Sequence, residues 1–124
     1  MKLKSIAATA MLWLVGASTA HADQARLTPM PSQLETRYAL SALPPALRDG
    51  ATVWLLDPAK GYRLSRKGSN GVNCLVERTV WEWNELRDDV FVPLCYDKAG
   101  SGTLLKVIMD VATMRAGGKD AAAI

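Results

Sequence analysis

Cys74 and Cys95 are the only two cysteines in a chain of 124 residues, and their positions limit what the chain can fold into. Each stands in a short run rich in residues that favour strands, so a bond between them would staple one strand to another. In an oxidising compartment a lone pair of this kind is most simply a structural disulfide. Closing a loop of about 22 residues stabilises a fold by roughly 3 kcal/mol in the chain-entropy description. That is a large share of the total stability of a domain of about 100 residues. The sharper alternative, a reactive thiol or redox pair, lacks the C-x-x-C spacing that lowers a thiol pKa.

The N-terminus supplies the oxidising compartment. Residues 1–22 run from a basic start, Lys2 and Lys4, through an apolar stretch at 6–15 to small residues ending in Ala20-His21-Ala22. That is the grammar of a signal peptide, with cleavage expected after Ala22. About ten apolar residues in helical form cover about half of a 30 Å hydrocarbon core, so a permanent span is disfavoured. No cysteine stands at the cleavage region to receive a lipid. The expected product, residues 23–124, loses Lys2 and Lys4, so its net charge falls from +3 to +1. Its charges interleave along the chain, which leaves no electrostatic footprint for nucleic acid. The only histidine, His21, departs with the signal, and imidazole mechanisms depart with it.

The expected fold is one α+β domain over residues 32–124, a small antiparallel meander of three or four strands packed with an N-terminal and a C-terminal helix. Residues 23–31 form a mobile lead, kept out of the first helix by Pro29 and Pro31. Ser32-Gln33-Leu34-Glu35 has capping-box spacing and opens a helix over 33–43, with Leu34, Tyr38 and Ala42 on one stripe. Residues 46–49 add a turn of helix. Residues 52–56 read as a buried strand and 62–67 as a half-wet one, joined by the turn Asp57-Pro58-Ala59-Lys60-Gly61. The turn Gly68-Ser69-Asn70-Gly71 then leads to a third strand over 72–78 that presents Val72, Cys74 and Val76 to one side. Residues 79–88 leave the sheet. A strand over 90–96 follows, placed at an edge or a bulge because Pro93 has no donor. A mostly buried helix over 103–116 carries Leu104, Val107, Ile108, Val111 and Met114 on one stripe, broadened by Leu105, Met109 and Ala112, and ends at Gly117-Gly118.

Little in this chain has the spacing that chemistry requires. Glu82, Glu85 and Asp88 could serve as acid and base in sugar hydrolysis, yet charged loop residues beside Arg78 and Arg87 are more simply a solvated face. Ser65, Ser69 and Ser101 lack an adjacent base, and neither S-x-x-K nor G-x-S-x-G occurs. No metal-ligand run and no phosphate loop is present, so no cofactor or metal is expected. Two features could make contacts instead. Arg63, Arg66 and Lys67 place three positive charges on the second strand and its turn, suited to an anionic glycan or acidic partner, or simply to guarding an edge. Trp81 and Trp83 share one face if their segment is extended and could stack on sugar or peptide, although tryptophan is also a natural core filler. Trp54, mid-strand between Val53 and Leu55, reads as core.

Three stretches, Ala39-Leu40-Ser41-Ala42-Leu43-Pro44-Pro45, the strand and turn over 53–62, and Arg66-Lys67-Gly68-Ser69-Asn70-Gly71 through Cys74, resemble small exported bacterial proteins of unknown function. The resemblance implies a periplasmic or secreted setting and carries over no activity and no functional residue. The favoured expectation is a non-enzymatic exported module that binds an envelope component, protein or glycan, with Arg63, Arg66, Lys67, Trp81 and Trp83 as its contact surface. The alternatives are a small carboxylate-dependent hydrolase or lyase acting on envelope glycan, and a secreted protein inhibitor.

Overall fold

A computed structural model describes residues 27–79 and 85–124. Helix α1 (Ser32–Ser41) and the short helix α2 (Pro45–Arg48) precede strands β1 (Thr52–Asp57), β2 (Gly61–Arg66), β3 (Asn73–Glu77) and β4 (Val92–Tyr96). The one-turn helix α3 (Lys98–Ser101) and helix α4 (Leu104–Ala116) follow, and a 3-10 turn at Ala121–Ala123 closes the chain. The chain is therefore α+β with helices at both ends. No helix among the described residues is long and apolar enough to cross a membrane.

The strand order is β2-β1-β3-β4, so the sheet is mixed and differs from the expected antiparallel meander. β1 and β2 form the anticipated hairpin, and β3 pairs antiparallel with β4. However, β3 lies parallel to β1, on the side away from β2. β1 is thereby a central strand, with Val53, Leu55 and Leu56 on its two faces all buried and its backbone groups partnered on both edges. The link from β2 to β3 consequently passes across the entry to β1. Gly68 crosses so close that an added Cβ would stand 2.1 Å from the Gly50 carbonyl oxygen and 2.4 Å from the Ala51 carbonyl carbon. Ser69 and Asn70 N–H groups both donate to the Gly50 carbonyl, at 2.8 and 3.1 Å, and Gly68 N–H donates to Thr52 Oγ1 at 2.9 Å.

The parallel contact is short, pairing only Thr52 with Asn73 and Val53 with Cys74. Beyond it the strands splay, and side chains replace the ladder. Glu35 Oε1 accepts from the Leu56 N–H at 2.7 Å, and the Tyr62 hydroxyl donates to the Val76 carbonyl at 2.6 Å. Glu35 is thus buried against the sheet and does not complete a capping box; Pro31 stands at the N-cap and no side chain bonds there. The helix turns its small Ala39 inward instead of Leu34 and Tyr38, which remain exposed, because only a small residue admits the helix beside the disulfide. Cys95 Sγ lies 3.3 Å from the Ala39 carbonyl oxygen.

Cys74 and Cys95 are bonded, as expected, with Cα atoms 4.1 Å apart and directly opposite in the β3–β4 ladder. That spacing belongs to a pair without mutual backbone hydrogen bonds. Pro93, two residues earlier and opposite Val76, occupies an equivalent position, so its missing donor falls on the open side of an edge strand. Two apolar clusters fill the sheet faces. One joins Ala39, Ala51, Val53, Leu55, Cys74 and Val76 under α1; the other joins Leu27, Leu56 and Ala112 of α4, with Tyr62 and Leu86 against them. Leu27 is therefore packed where the sequence suggested a mobile lead, and Met30 packs against the first cluster. Residues 23–26 and the signal segment lie outside the described residues.

Replacing Cys74 and Cys95 by Ala together should lower stability by roughly 3 kcal/mol, read by urea unfolding. Gly71→Ala has open space and only its φ of 76° to contend with, so it should cost about 1–2 kcal/mol. Gly68→Ala, which meets backbone, should cost more than Gly71→Ala; an equal or smaller loss would refute the close crossing.

Candidate functional site

Strand β3 is apolar up to Val76, and its continuation carries the arginine on which the following excursion is mounted. Arg78 is 3% exposed. A buried guanidinium must find acceptors for its fork of donors. Its Nε donates to the Val90 carbonyl at 2.7 Å and its Nη2 to the Arg87 carbonyl at 3.2 Å, with the Thr28 carbonyl at 3.5 Å from Nη1. Arg87 N–H returns a bond to the Arg78 carbonyl at 2.7 Å, and Thr79 bridges to Leu86. The two stems of the loop and the incoming N-terminal segment are thus held by one side chain. Asp88 completes the clamp: its Oδ1 lies 3.5 Å from Arg78 Nη2 and accepts from the Thr28 N–H at 2.8 Å.

The guanidinium lies over the Phe91 ring, 4.2 Å from its centroid. This stacking and Asp88 favour the charged form, while burial lowers the guanidinium pKa from its ordinary value. Phe91 in turn meets Tyr38 of α1, with ring centroids 6.4 Å apart and planes at 47°. Both rings are more than two-fifths exposed, and Leu34 and Val92 beside them are exposed too. An aromatic corner therefore stands at the root of the excursion, on rigid elements. Such placement, a loop carried by an ordered scaffold, is where recognition surfaces are commonly built.

The carboxylates divide by environment. Burial raises the pKa of Glu35 above its ordinary 4.5, against the opposing effects of the Leu56 N–H and of the positive charges of Arg78 and Arg63. Burial likewise raises Glu77, partly offset by the hydroxyl of Thr79. Tyr62 is pushed well above the ordinary phenol value by burial and by the nearby Glu77 and Glu35 carboxylates, so it remains a hydrogen-bond donor throughout the accessible pH range. Asp89 is paired with Arg87 through two bonds of 2.7 and 2.8 Å, and that pairing lowers the Asp89 pKa. Glu85 is exposed, and Glu82 lies outside the described residues. No cluster of three or more His, Cys, Asp or Glu side chains suited to a metal occurs among the described residues.

The basic trio separates. Arg63 and Lys67 are exposed on β2 and just beyond it, whereas Arg66 is half-buried and directs its donors to backbone. Its Nη2 bonds the Arg48 carbonyl at 2.6 Å and the Ala51 carbonyl at 3.1 Å, and its Nε bonds the Ala51 carbonyl at 3.2 Å. Arg66 thereby fixes α2 and the entry to β1. Trp81 and Trp83 lie outside the described residues, in the loop whose stems Arg78 joins. Trp54 is half-buried and donates from Nε1 to Asn73 Oδ1 at 2.9 Å. Sequence reasoning missed Arg78, Tyr38, Phe91 and Glu35. A charge ending an apolar strand, and the spacing of Glu35 with Ala39 on one helical face, were the available signals.

Comparison of the chain with protein-family models, with curated proteins and with solved structures found no match.

The Glu35 geometry fixes its own test. A carboxylate with a raised folded pKa contributes stability that is fully present below its unfolded value near 4.5 and is lost as pH rises through the folded value. Glu35→Gln keeps an acceptor for Leu56 N–H and removes this slope, so its stability relative to the parent should improve from pH 4 to pH 7 in urea titrations. Glu35→Ala orphans that donor and should cost about 1–3 kcal/mol at either pH. Equal losses for the two variants would exclude the hydrogen-bonding role.

Proposed function

We propose that this chain is an exported, non-enzymatic binding module that engages a component of the cell envelope through the loop over 79–90. The observation that supports this reading is the Arg78 clamp. A buried cation is expensive to place, and here it closes the loop stems while leaving Tyr38 and Phe91 open at their root. Stems held in place in this way lower the entropy lost on binding. The contact surface in this reading is Trp81, Trp83, Phe91 and Tyr38, with the exposed Arg63 and Lys67 as a separate positive flank for an anionic group. The disulfide is compatible with export, and the signal-like residues 1–22 supply the reason for placing the protein in the periplasm or outside the cell.

The second reading, a secreted protein inhibitor, draws on the same clamp, since fixed stems suit a segment that enters a partner's cleft. The hydrolase reading draws least support. Both Asp88 oxygens face Thr28, through its N–H at 2.8 Å and its hydroxyl at 3.4 Å, and Oδ1 also faces Arg78, which occupies that carboxylate structurally.

Binding to purified envelope glycan and to envelope protein extract, measured by co-sedimentation and by cross-linking, separates the readings. Trp81→Ala with Trp83→Ala should weaken retention about tenfold with the melting temperature unchanged, in keeping with losses of 1–2 kcal/mol at aromatic contacts. Retention equal to that of the parent would remove this loop from the contact surface. Converting Glu82 and Glu85 to amides should leave affinity intact; glycan turnover by the parent that these changes abolish would establish the hydrolase instead.

A further inference from the structure

Helix α4 is apolar around most of its circumference, yet only one side of it meets the sheet. Leu105 and Ala112 are buried, as the helix packs beside β2 and against Leu56 and Tyr62. Of the stripe expected to form its core, Leu104, Val107, Ile108, Val111 and Met114, the first two are turned outward, Leu104 55% exposed and Val107 43%, while Ile108, Val111 and Met114 are half-buried. A helix apolar on both sides is ordinarily covered on both. Within the stripe Leu104, Val107, Val111 and Met114 have intervals of three, four and three residues, the spacing of a coiled-coil seam, rather than the arrangement of isolated surface leucines.

The flanks of that seam say what covers it. Asp110 and Arg115 border the stripe on opposite sides and stand five residues apart. In a parallel pair of helices the residue bordering one side of the seam lies opposite the residue five positions further on in the other helix. Two copies of α4 packed in parallel would therefore place Asp110 of each copy against Arg115 of the other, twice by symmetry. In an antiparallel pair each would face its own kind, Asp110 against Asp110 and Arg115 against Arg115. The available groups agree with this pairing. Asp110 is exposed and paired with Lys106 one turn earlier, and Arg115 bonds from Nη1 to the Lys119 carbonyl at 2.9 Å at the end of the helix. Lys106, on the Asp110 flank, lies away from the stripe and stays exposed in its pair with Asp110.

We infer that the seam of Leu104, Val107, Val111 and Met114 is the self-association surface of this protein, and that a second copy docks on it through parallel packing of the two α4 helices. The surface is distinct from the Arg78-clamped loop, which leaves a dimer with two copies of that loop available and raises its avidity for a polyvalent envelope surface.

Sedimentation velocity of the purified protein between about 1 µM and about 1 mM, the range in which a small interface associates, tests the inference. The parent should pass from monomer to dimer, and Val107→Glu, at an exposed position, should remain monomeric with an unchanged melting temperature. Asp110→Arg alone and Arg115→Asp alone should each weaken the dimer at least tenfold, and the two together should restore it to within about threefold. A parent that stays monomeric throughout, or a Val107→Glu variant that dimerises like the parent, would overturn the self-association surface. Failure of the double exchange to restore association would overturn the parallel arrangement. Loss of loop binding in the tryptophan variants with the dimer intact leaves this inference standing, so the two proposals fail separately.

Discussion

Everything in this fold is arranged around a parallel strand contact only two residue pairs long. Parallel strands gain their stability from burial on both faces, and this pair opens after Val53 and Cys74. The open part of the seam would leave backbone groups without partners in the interior, at a cost comparable to a lost hydrogen bond for each. Glu35 and Tyr62 supply the partners, one from a helix and one from the outer strand, and the disulfide pins β4 to the other side of β3. The sheet is thus completed by side chains that carry charge or a hydroxyl, and the burial of a carboxylate follows from topology.

The same logic extends outward from β3. Where the strand ends, the chain must reverse through residues 79–90 and return as β4, and Arg78 provides acceptor-directed donors at the neck of that reversal. Because the guanidinium is spent on backbone carbonyls, Asp88 and the face of Phe91, it rigidifies the neck without itself being offered to solvent. The polar investment in the interior therefore sits next to the segment richest in tryptophan. Exposed Tyr38 and Phe91 extend that surface onto the helical layer. Helix α4 uses a narrow buried edge against the sheet, where Ala112 meets Leu56 and Leu27, and leaves Leu104 and Val107 outward.

Local chemistry made much of the chain legible. The β1–β2 hairpin was written in β-favouring residues bounded by Asp57-Pro58 and Gly61. The edge position of β4 was written in Pro93, the end of α4 in Gly117-Gly118, and the disulfide in the two cysteines. These features rest on backbone conformation and short-range patterning, which operate within a few residues and need no knowledge of distant partners. The candidate surface was legible only as residue types: the basic run of Arg63, Arg66 and Lys67 looked like one patch, and the fold assigned Arg66 to backbone carbonyls of Arg48 and Ala51.

Sequence by itself determined the two longer helices and the four strands, though not α3, that a disulfide ties two strands, and that histidine is confined to residue 21. Tertiary structure decided which strands are neighbours, because the order depends on long-range pairing and on whether the backbone can pass Gly50 at all, which only Gly68 permits. It decided the inward faces of α1 and α4 as well. A helical stripe identifies apolar residues but not their partners, and the depth allowed by Ala39 against the disulfide and by Ala112 against Leu56 outweighed the larger side chains beside them. The roles of Glu35 and Arg78 belong wholly to that level, since a charge is buried only where backbone groups distant in sequence converge to satisfy it.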